Sequence, residues 1–172
     1  MIDVEIKARC ENHDFIRAKL KELGARLYGY DKQTDIYFNS ENGRLKLRKG
    51  EIEGALVYYE RENIKGIKPS NFSLFKPENP EQLEEILRKA LGVKVEVVKK
   101  REMYFYDNVK FNIDEVEGLG NFIEIEAMTE DPNEIDYLKI LVRDYLLLFQ
   151  INETDIQSLS YSDLLLEKHV KE

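Results

Sequence analysis

The sequence has 172 residues, of which 42% are hydrophobic and 35% are charged. Its length suits one folded domain, and its hydrophobic share argues against disorder. It has 26 Lys and Arg against 34 Asp and Glu, a formal net charge of −8, which disfavours general binding to nucleic acid or to an anionic membrane. One cysteine excludes an internal disulfide, and two histidines make a His-based metal cluster a poor prediction. We predict one domain over residues 1–172, with no nucleic-acid partner.

The N-terminal segment alternates between apolar and charged residues over positions 2–10, a pattern typical of a β-strand. One face of this strand carries the charged side chains Asp3, Glu5, Lys7 and Arg9. A charge at every second position does not suit a signal peptide, and the longest apolar stretch, 145–149, is too short to span a bilayer. We therefore expect a cytoplasmic protein with no membrane partner.

Further strands alternate along the chain with amphipathic helices. Helices are expected between the capping cluster 12–14 and Gly24, over 80–91, from 131 to about 149, and after Ser160. Strands are expected over 25–39, 44–48, 55–63, 72–76, 93–106, 110–116 and 122–127. Short turns such as Asn42-Gly43 favour antiparallel hairpins. These elements predict the α+β class.

Charged residues fall on one face of several predicted strands, with Val, Ile, Leu and aromatic residues on the other. This charged face carries Asp3, Glu5, Lys7, Arg9, Arg44, Lys46, Arg48, Arg61, Lys99, Arg101, Lys110, Asp114, Glu124 and Glu126. A half-exposed sheet with a solvated polar face is one interpretation. The other is a closed or nearly closed barrel whose lumen is the charged face. The strand 44–48 is purely basic on this face and the pair Glu124 and Glu126 is purely acidic, and amphipathic helices are available to cover the apolar exterior, so the barrel is also supported.

A lumen of this composition has a clear chemical use. Arg and Lys bind phosphate oxygens, and clustered carboxylates hold Mg²⁺ or Mn²⁺. The residues therefore favour a compact polyanion that binds with a divalent metal, such as a triphosphate.

The same residues resemble a known family. The run Asp3-Val4-Glu5-Ile6-Lys7 resembles the ExExK signature of the CYTH superfamily, the triphosphate tunnel metalloenzymes, with Asp where the family usually has Glu. The resemblance continues at 35–38, at 44–48, at 99–101, and at 111–126, where the pattern D-x-V-x-x-L-G-x-F-x-E-I-E is complete. It covers about residues 2–127. Residues 58–63, followed by Gly66, Lys68 and Ser70, look most like the class IV adenylyl cyclase (CyaB-type) branch.

The resemblance implies an eight-stranded antiparallel β-barrel, a tunnel with helices packed on the outside, that binds a triphosphate along its axis with Mg²⁺ or Mn²⁺. The implied metal ligands are Asp3, Glu5, Asp114, Glu124 and Glu126. The implied phosphate-binding residues are Arg9, Lys46, Arg48, Arg61, Lys99, Arg101 and Lys110. The implied catalytic residues are Glu5, Lys7 and Glu126. The resemblance leaves open whether Glu60 or Arg61 faces the tunnel, and whether the shorter Asp3 reaches the metal directly or through a water molecule.

Three functions follow from this resemblance. A class IV cyclase would convert ATP to cyclic AMP and pyrophosphate, whereas a triphosphatase would release orthophosphate from inorganic or thiamine triphosphate with nearly the same residues. A non-catalytic binder of nucleotides or polyphosphate would keep the cations without needing the carboxylates. The apolar strip 145–149 is wider than one core face needs, so we also predict that it contributes to a homodimer contact.

Overall fold

The structure is a computed structural model that describes residues 1–60 and 64–172. Within these residues eight strands form a closed, fully antiparallel barrel. The strands are β1 (Ile2–Arg9), β2 (Arg26–Phe38), β3 (Arg44–Lys49), β4 (Ala55–Glu60), β5 (Lys68–Phe75), β6 (Val93–Tyr106), β7 (Val109–Val116) and β8 (Gly120–Thr129). Their order around the barrel is β1, β5, β4, β3, β2, β6, β7, β8, and β8 pairs with β1. The predicted barrel and the α+β class are confirmed.

Side-chain alternation divides the residues of the wall into two sets. Val4 and Ile6 on β1 point outward and join a buried cluster with Phe111 of β7 and Ile125 of β8, while the charged residues between them point inward. Closing the barrel gives every strand two hydrogen-bonded neighbours, so the sheet has no free edge.

The described part of the chain contains four helices that pack on the barrel. They are α1 (His13–Leu23), α2 (Pro80–Leu91), α3 (Ile135–Leu148) and α4 (Tyr161–Lys171). Helices α1 and α3 cover the outer faces of β1, β7 and β8, and α2 packs Leu83 and Leu87 against Ile36 and Leu47. Short 3₁₀ turns at Pro132–Glu134 and Glu153–Asp155 precede α3 and α4.

The fourth helix packs across one end of the barrel, where β1 ends and β8 begins. Tyr161 and Leu165 of α4 join a buried cluster with Val97, Phe122 and Tyr59. We call this the plugged end. The opposite end, where β1 begins and β8 ends, is called the mouth.

One expected strand needs correction, and another is described only in part. The fifth strand begins at Lys68, four residues earlier than the expected 72–76, because Lys68 pairs with Glu5 and extends the barrel wall. The expected strand 55–63 is described as far as Glu60, and 61–63 lie outside the described residues.

The apolar strip 145–149 has mainly an intramolecular role. Tyr145, Leu146 and Phe149 are buried in the core, whereas Leu147 is 72% exposed. The homodimer stays a prediction. No described helix is long and apolar enough to cross a membrane.

Candidate active site in the tunnel

The barrel encloses a cavity of about 290 Å³ that begins near the mouth and ends at α4. Charged residues dominate its wall. From the predicted set it is lined by Asp3, Glu5, Lys7, Lys46, Arg48, Lys99, Arg101, Lys110, Glu124 and Glu126. Tyr161 and Ser160, at the start of α4, form its inner end.

Three carboxylates converge on the mouth side of this cavity. Asp3 and Glu5 are two residues apart on β1, and Glu126 is the cross-strand partner of Glu5 on β8. One oxygen from each lies within 4.8 Å of the others. Burial raises the pKa of Asp3 well above its usual value, and the charges of Glu5 and Glu126 add to the effect. Burial likewise raises the pKa of Glu126 to about 7.

This carboxylate group fits a divalent cation. Oxygen donors are the ligands that Mg²⁺ and Mn²⁺ prefer, and a cation would relieve the mutual repulsion that raises these pKa values. The buried Oδ1 of Asp3 accepts no hydrogen bond from the described residues. An unpartnered buried carboxylate oxygen costs free energy, so a ligand at this position is expected.

Cations lie on the opposite wall, gathered around Asp35 of β2. Lys99 donates to Asp35 at 2.8 Å, Arg48 donates to both of its oxygens at 2.7 and 2.8 Å, and Lys46 lies at 3.4 Å. Burial alone would raise the pKa of Asp35, but these three cations outweigh it and hold that pKa well below its usual range. Burial lowers the pKa of Lys99 to about 7. One fixed carboxylate thus positions three phosphate-binding candidates.

A second ion-pair network joins β6, β7 and β8. Arg101 donates to Asp114 at 2.8 and 2.7 Å and to Glu124 at 3.0 Å, and Lys7 lies 3.4 Å from Glu124. The hydroxyl of Tyr161 also donates to Asp114 at 2.7 Å. Burial would raise the pKa of Glu124, yet Arg101 and Lys7 hold it well below its usual value. Glu124 is therefore anionic and paired with Arg101 and Lys7.

Three predicted site residues differ from the rest. Asp114 is fully buried, belongs to the Arg101 and Tyr161 network, and lies outside both the cavity lining and the three-carboxylate group. Arg9 lies at the plugged end, where it donates to the Leu119 carbonyl at 2.9 Å and stacks on Phe122. Arg61 lies outside the described residues. Glu60, the alternative to Arg61, is exposed and accepts a hydrogen bond from Tyr58.

Sequence reasoning missed two acidic residues of the cavity, Asp35 and Glu53. Asp35 lies at alternate positions of β2 with Gln33 and Tyr37, so these side chains share one face of the strand. This alternation could have predicted that Asp35 points into the barrel. Glu53 lies in the turn between β3 and β4, where alternation gives no information. Its carboxylate nevertheless reaches the lumen and pairs with Lys110.

At the mouth the charged cavity continues into a groove lined by apolar and aromatic residues together with Arg26, Arg48, Glu53 and Lys76. This mouth groove has a volume of about 370 Å³ and shares Arg48, Glu53, Val57, Leu74 and Phe105 with the cavity. Tyr28 packs edge to face on Phe105, with ring centroids 5.5 Å apart. Tyr28 is 55% exposed and Leu74 is 52% exposed. A ligand in the cavity can therefore extend onto an aromatic surface.

Comparison with known proteins agrees with this geometry. Residues 1–159 match the CYTH domain family. The chain belongs to that family. A Methanocaldococcus jannaschii protein, provisionally named adenylate cyclase, is 30% identical over 172 residues, which is 95% of this chain and 98% of the relative.

Solved structures of other proteins have the same fold. The PH1012 protein of Pyrococcus horikoshii has a TM-score of 0.74 at 27% identity, covering 94% of this chain and 98% of the other. A Vibrio parahaemolyticus protein, provisionally described as an adenylate cyclase, has a TM-score of 0.78 at 18% identity, covering 96% and 98%. A Hippeastrum protein, described as an adenylyl cyclase candidate with dominant triphosphatase activity, has a TM-score of 0.63 at 14% identity, covering 98% and 95%. The last two comparisons concern the fold alone.

Proposed function

We propose that this protein is a divalent-metal-dependent enzyme that converts ATP to cyclic AMP and pyrophosphate. The observation that carries the proposal is a single cavity in which three converging carboxylates face a wall of lysines and arginines. Such a cavity suits a triphosphate because it offers one place for a metal and several donors for phosphate oxygens.

The residues of the cavity divide into two roles. Asp3, Glu5 and Glu126 would hold Mg²⁺ or Mn²⁺, with Glu124 beside them. When bound, such a metal neutralises phosphate charge and lowers the pKa of a coordinated hydroxyl. Six cations would bind the phosphate chain, and they are Lys7, Lys46, Arg48, Lys99, Arg101 and Lys110. These cations would neutralise the charge that develops on the pyrophosphate leaving group. Both roles follow from side chains that the barrel already fixes in position.

The mouth groove favours a nucleoside triphosphate over inorganic triphosphate. Its apolar and aromatic residues, including Tyr28, Phe105 and Leu74, suit an uncharged ring better than a phosphate group. With the phosphates among the cations and the base in the groove, the ribose would lie near the carboxylates. Attack of the ribose 3′-oxygen on the α-phosphorus, with loss of pyrophosphate, is then the expected reaction.

A triphosphatase is the second candidate, because the charged residues alone do not distinguish it from a cyclase. The Hippeastrum protein with the same fold is described as having dominant triphosphatase activity. If inorganic triphosphate or thiamine triphosphate binds one phosphate further along, an attacking water would release orthophosphate.

Product analysis tests the proposal. The purified protein would be incubated with Mg²⁺ or Mn²⁺ and separately with ATP, thiamine triphosphate and inorganic triphosphate. Cyclic AMP together with pyrophosphate is the expected result. Orthophosphate without cyclic AMP would replace the cyclase by a triphosphatase. Binding without any turnover would leave only a nucleotide or polyphosphate binder and would overturn both enzyme assignments.

A further inference from the structure

The turn between β3 and β4, residues 50–54, is fixed at the mouth by a buried carboxylate. Asp31 of β2 accepts hydrogen bonds from three successive main-chain N–H groups, those of Glu51, Ile52 and Glu53, at 3.0, 3.2 and 3.0 Å. A side chain at Gly50 would bring a Cβ within 2.5 Å of an Asp31 oxygen. The close approach of this turn to β2 therefore requires a glycine, and the turn has a defined position.

This position directs the Glu53 side chain into the cavity. Its carboxylate pairs with Lys110 and accepts a hydrogen bond from the Gln33 amide at 2.9 Å. It also lies 3.9 Å from guanidinium nitrogens of both Arg48 and Arg101. Three cations and one amide around one anion are the donors that a phosphate group would need. Glu53 therefore occupies a place suited to a phosphate.

Glu53 differs from Asp35, the other acidic residue among these cations. Asp35 lies within β2 and its side chain is 2% exposed, so it cannot leave the cations without breaking the barrel wall. Glu53 belongs to a turn at the mouth, and its side chain is 25% exposed. A change of side-chain rotamer removes its carboxylate without breaking any strand pairing. Asp35 is thus a permanent counter-ion, while Glu53 can be displaced.

We propose that Glu53 is an internal competitor for the triphosphate site. In the ligand-free protein its carboxylate substitutes for one phosphate group among Arg48, Arg101 and Lys110, and a bound triphosphate displaces it. The Asp31-held turn thereby sets the affinity for the substrate and lets the cations stay buried without a ligand. This inference rests on the proposed triphosphate site and adds how that site is regulated.

Binding measurements test the competition directly. Isothermal titration calorimetry with inorganic triphosphate, without divalent metal, would compare the natural protein with Glu53→Gln and with the control Glu51→Gln on the exposed side of the same turn. If the competent state is populated about one-tenth of the time, Glu53→Gln binds about tenfold more tightly. Glu51→Gln changes the net charge equally and should leave the affinity within about twofold. Equal or weaker binding by Glu53→Gln, or equal tightening in both variants, would overturn the proposal.

A second variant and a second probe guard against a folding defect. Asp31→Ala frees the turn while keeping Glu53, so the effective concentration of its carboxylate falls and triphosphate binds more tightly than in the natural protein. Sulfate, a smaller anion, should raise the melting temperature of Glu53→Gln more than that of Glu51→Gln. If Asp31→Ala binds triphosphate no more tightly, or sulfate stabilises both glutamine variants equally, the competition is refuted.

The two proposals fail separately. Tighter binding by Glu53→Gln without turnover of any triphosphate would overturn the enzyme assignment and support the internal competitor. Turnover by the natural protein, with no gain in affinity on removing the Glu53 charge, would support the enzyme assignment and overturn the internal competitor. An absence of binding of both anions by every variant would overturn both.

Discussion

Glu126 is a residue whose proposed role in metal binding opposes the stability of the protein. Its carboxylate is half-buried beside those of Asp3 and Glu5, an arrangement that is unfavourable without a cation. We expect Glu126→Gln to reduce metal-dependent turnover of ATP by about 100- to 1,000-fold. The same change removes buried repulsion, so the free energy of unfolding should not fall. Rates of product formation and urea unfolding would measure the two effects.

Glu115→Gln is the matched control for this change. Glu115 is an exposed, outward-facing residue of β7, so its substitution should alter neither turnover nor stability. Undiminished turnover in Glu126→Gln would contradict the assignment of the three-carboxylate group as the metal site.

Lys99 should make triphosphate binding depend on pH. Burial lowers its pKa to about 7, so above pH 7 the ligand-free amine is largely neutral. A bound polyanion favours the ammonium form, so binding takes up a proton, and affinity falls as the pH rises from about 7 towards 10. Below about pH 7 the amine is already charged, and this contribution is constant. The expected loss is up to about tenfold per pH unit.

Lys99→Arg isolates that contribution from the titration of the ligand. Arginine stays protonated throughout this range, so the affinity for ATP should depend less on pH than in the natural protein. Calorimetry in buffers of different ionisation enthalpy would also detect the proton uptake at pH 8. An identical pH profile in both proteins would show that Lys99 remains charged when ligand-free.

Alternation of residues along strands explains which site residues the sequence could predict. Asp3, Glu5 and Glu126 follow the inward parity, and the structure brings them together. Parity could not distinguish Asp114, which shares that face but pairs with Arg101 and Tyr161. Glu53 was beyond prediction because its place in the lumen depends on a turn folded onto Asp31.

At the scale of elements, the hairpins could be predicted from the sequence, but the packing of α4 across the plugged end could not. Short turns and alternating residues indicate neighbouring antiparallel strands, whereas the packing of α4 across the barrel end depends on contacts between distant residues. Tyr161 lies 4.0 Å from the Lys7 amine, measured to its ring centroid. Arg44 of β3 contacts both Ser160 and Asp163 at the start of α4. These contacts join the C-terminal helix to the tunnel.

Ser160 caps α4 and joins it to the barrel wall. Its hydroxyl accepts the Asp163 N–H at 3.2 Å in a capping box and also accepts from Arg44 at 2.7 Å. We expect Ser160→Ala to lower the free energy of unfolding by about 1–2 kcal/mol, because it removes a helix cap together with a buried hydrogen bond. Urea unfolding would measure this loss. Ser73→Ala, at an exposed position of β5, should change stability by less than about 0.5 kcal/mol, and an equal effect of the two substitutions would contradict the role of the cap.

At the scale of the whole molecule, the charges are distributed unevenly between lumen and surface. The net charge is −8, yet the cavity wall carries six cations, which are Lys7, Lys46, Arg48, Lys99, Arg101 and Lys110. Composition alone therefore could not indicate an anion site, whereas the alternation along individual strands predicted one. A polyanion that binds this wall should stabilise the barrel as one unit, since the cations come from four of its eight strands, β1, β3, β6 and β7.

We therefore expect a single unfolding transition that shifts upward with inorganic triphosphate. At about 100 times its dissociation constant the ligand adds about 2.7 kcal/mol, which corresponds to roughly 5–10 °C in melting temperature for a chain of this size. Scanning calorimetry would measure the shift, with uncharged adenosine as a control that lacks phosphates. Raising the salt concentration should reduce the shift, because ions screen the partly open cavity and compete for its cations. Two separate transitions would contradict one domain over 1–172, and an equal shift with adenosine would contradict phosphate recognition by the wall.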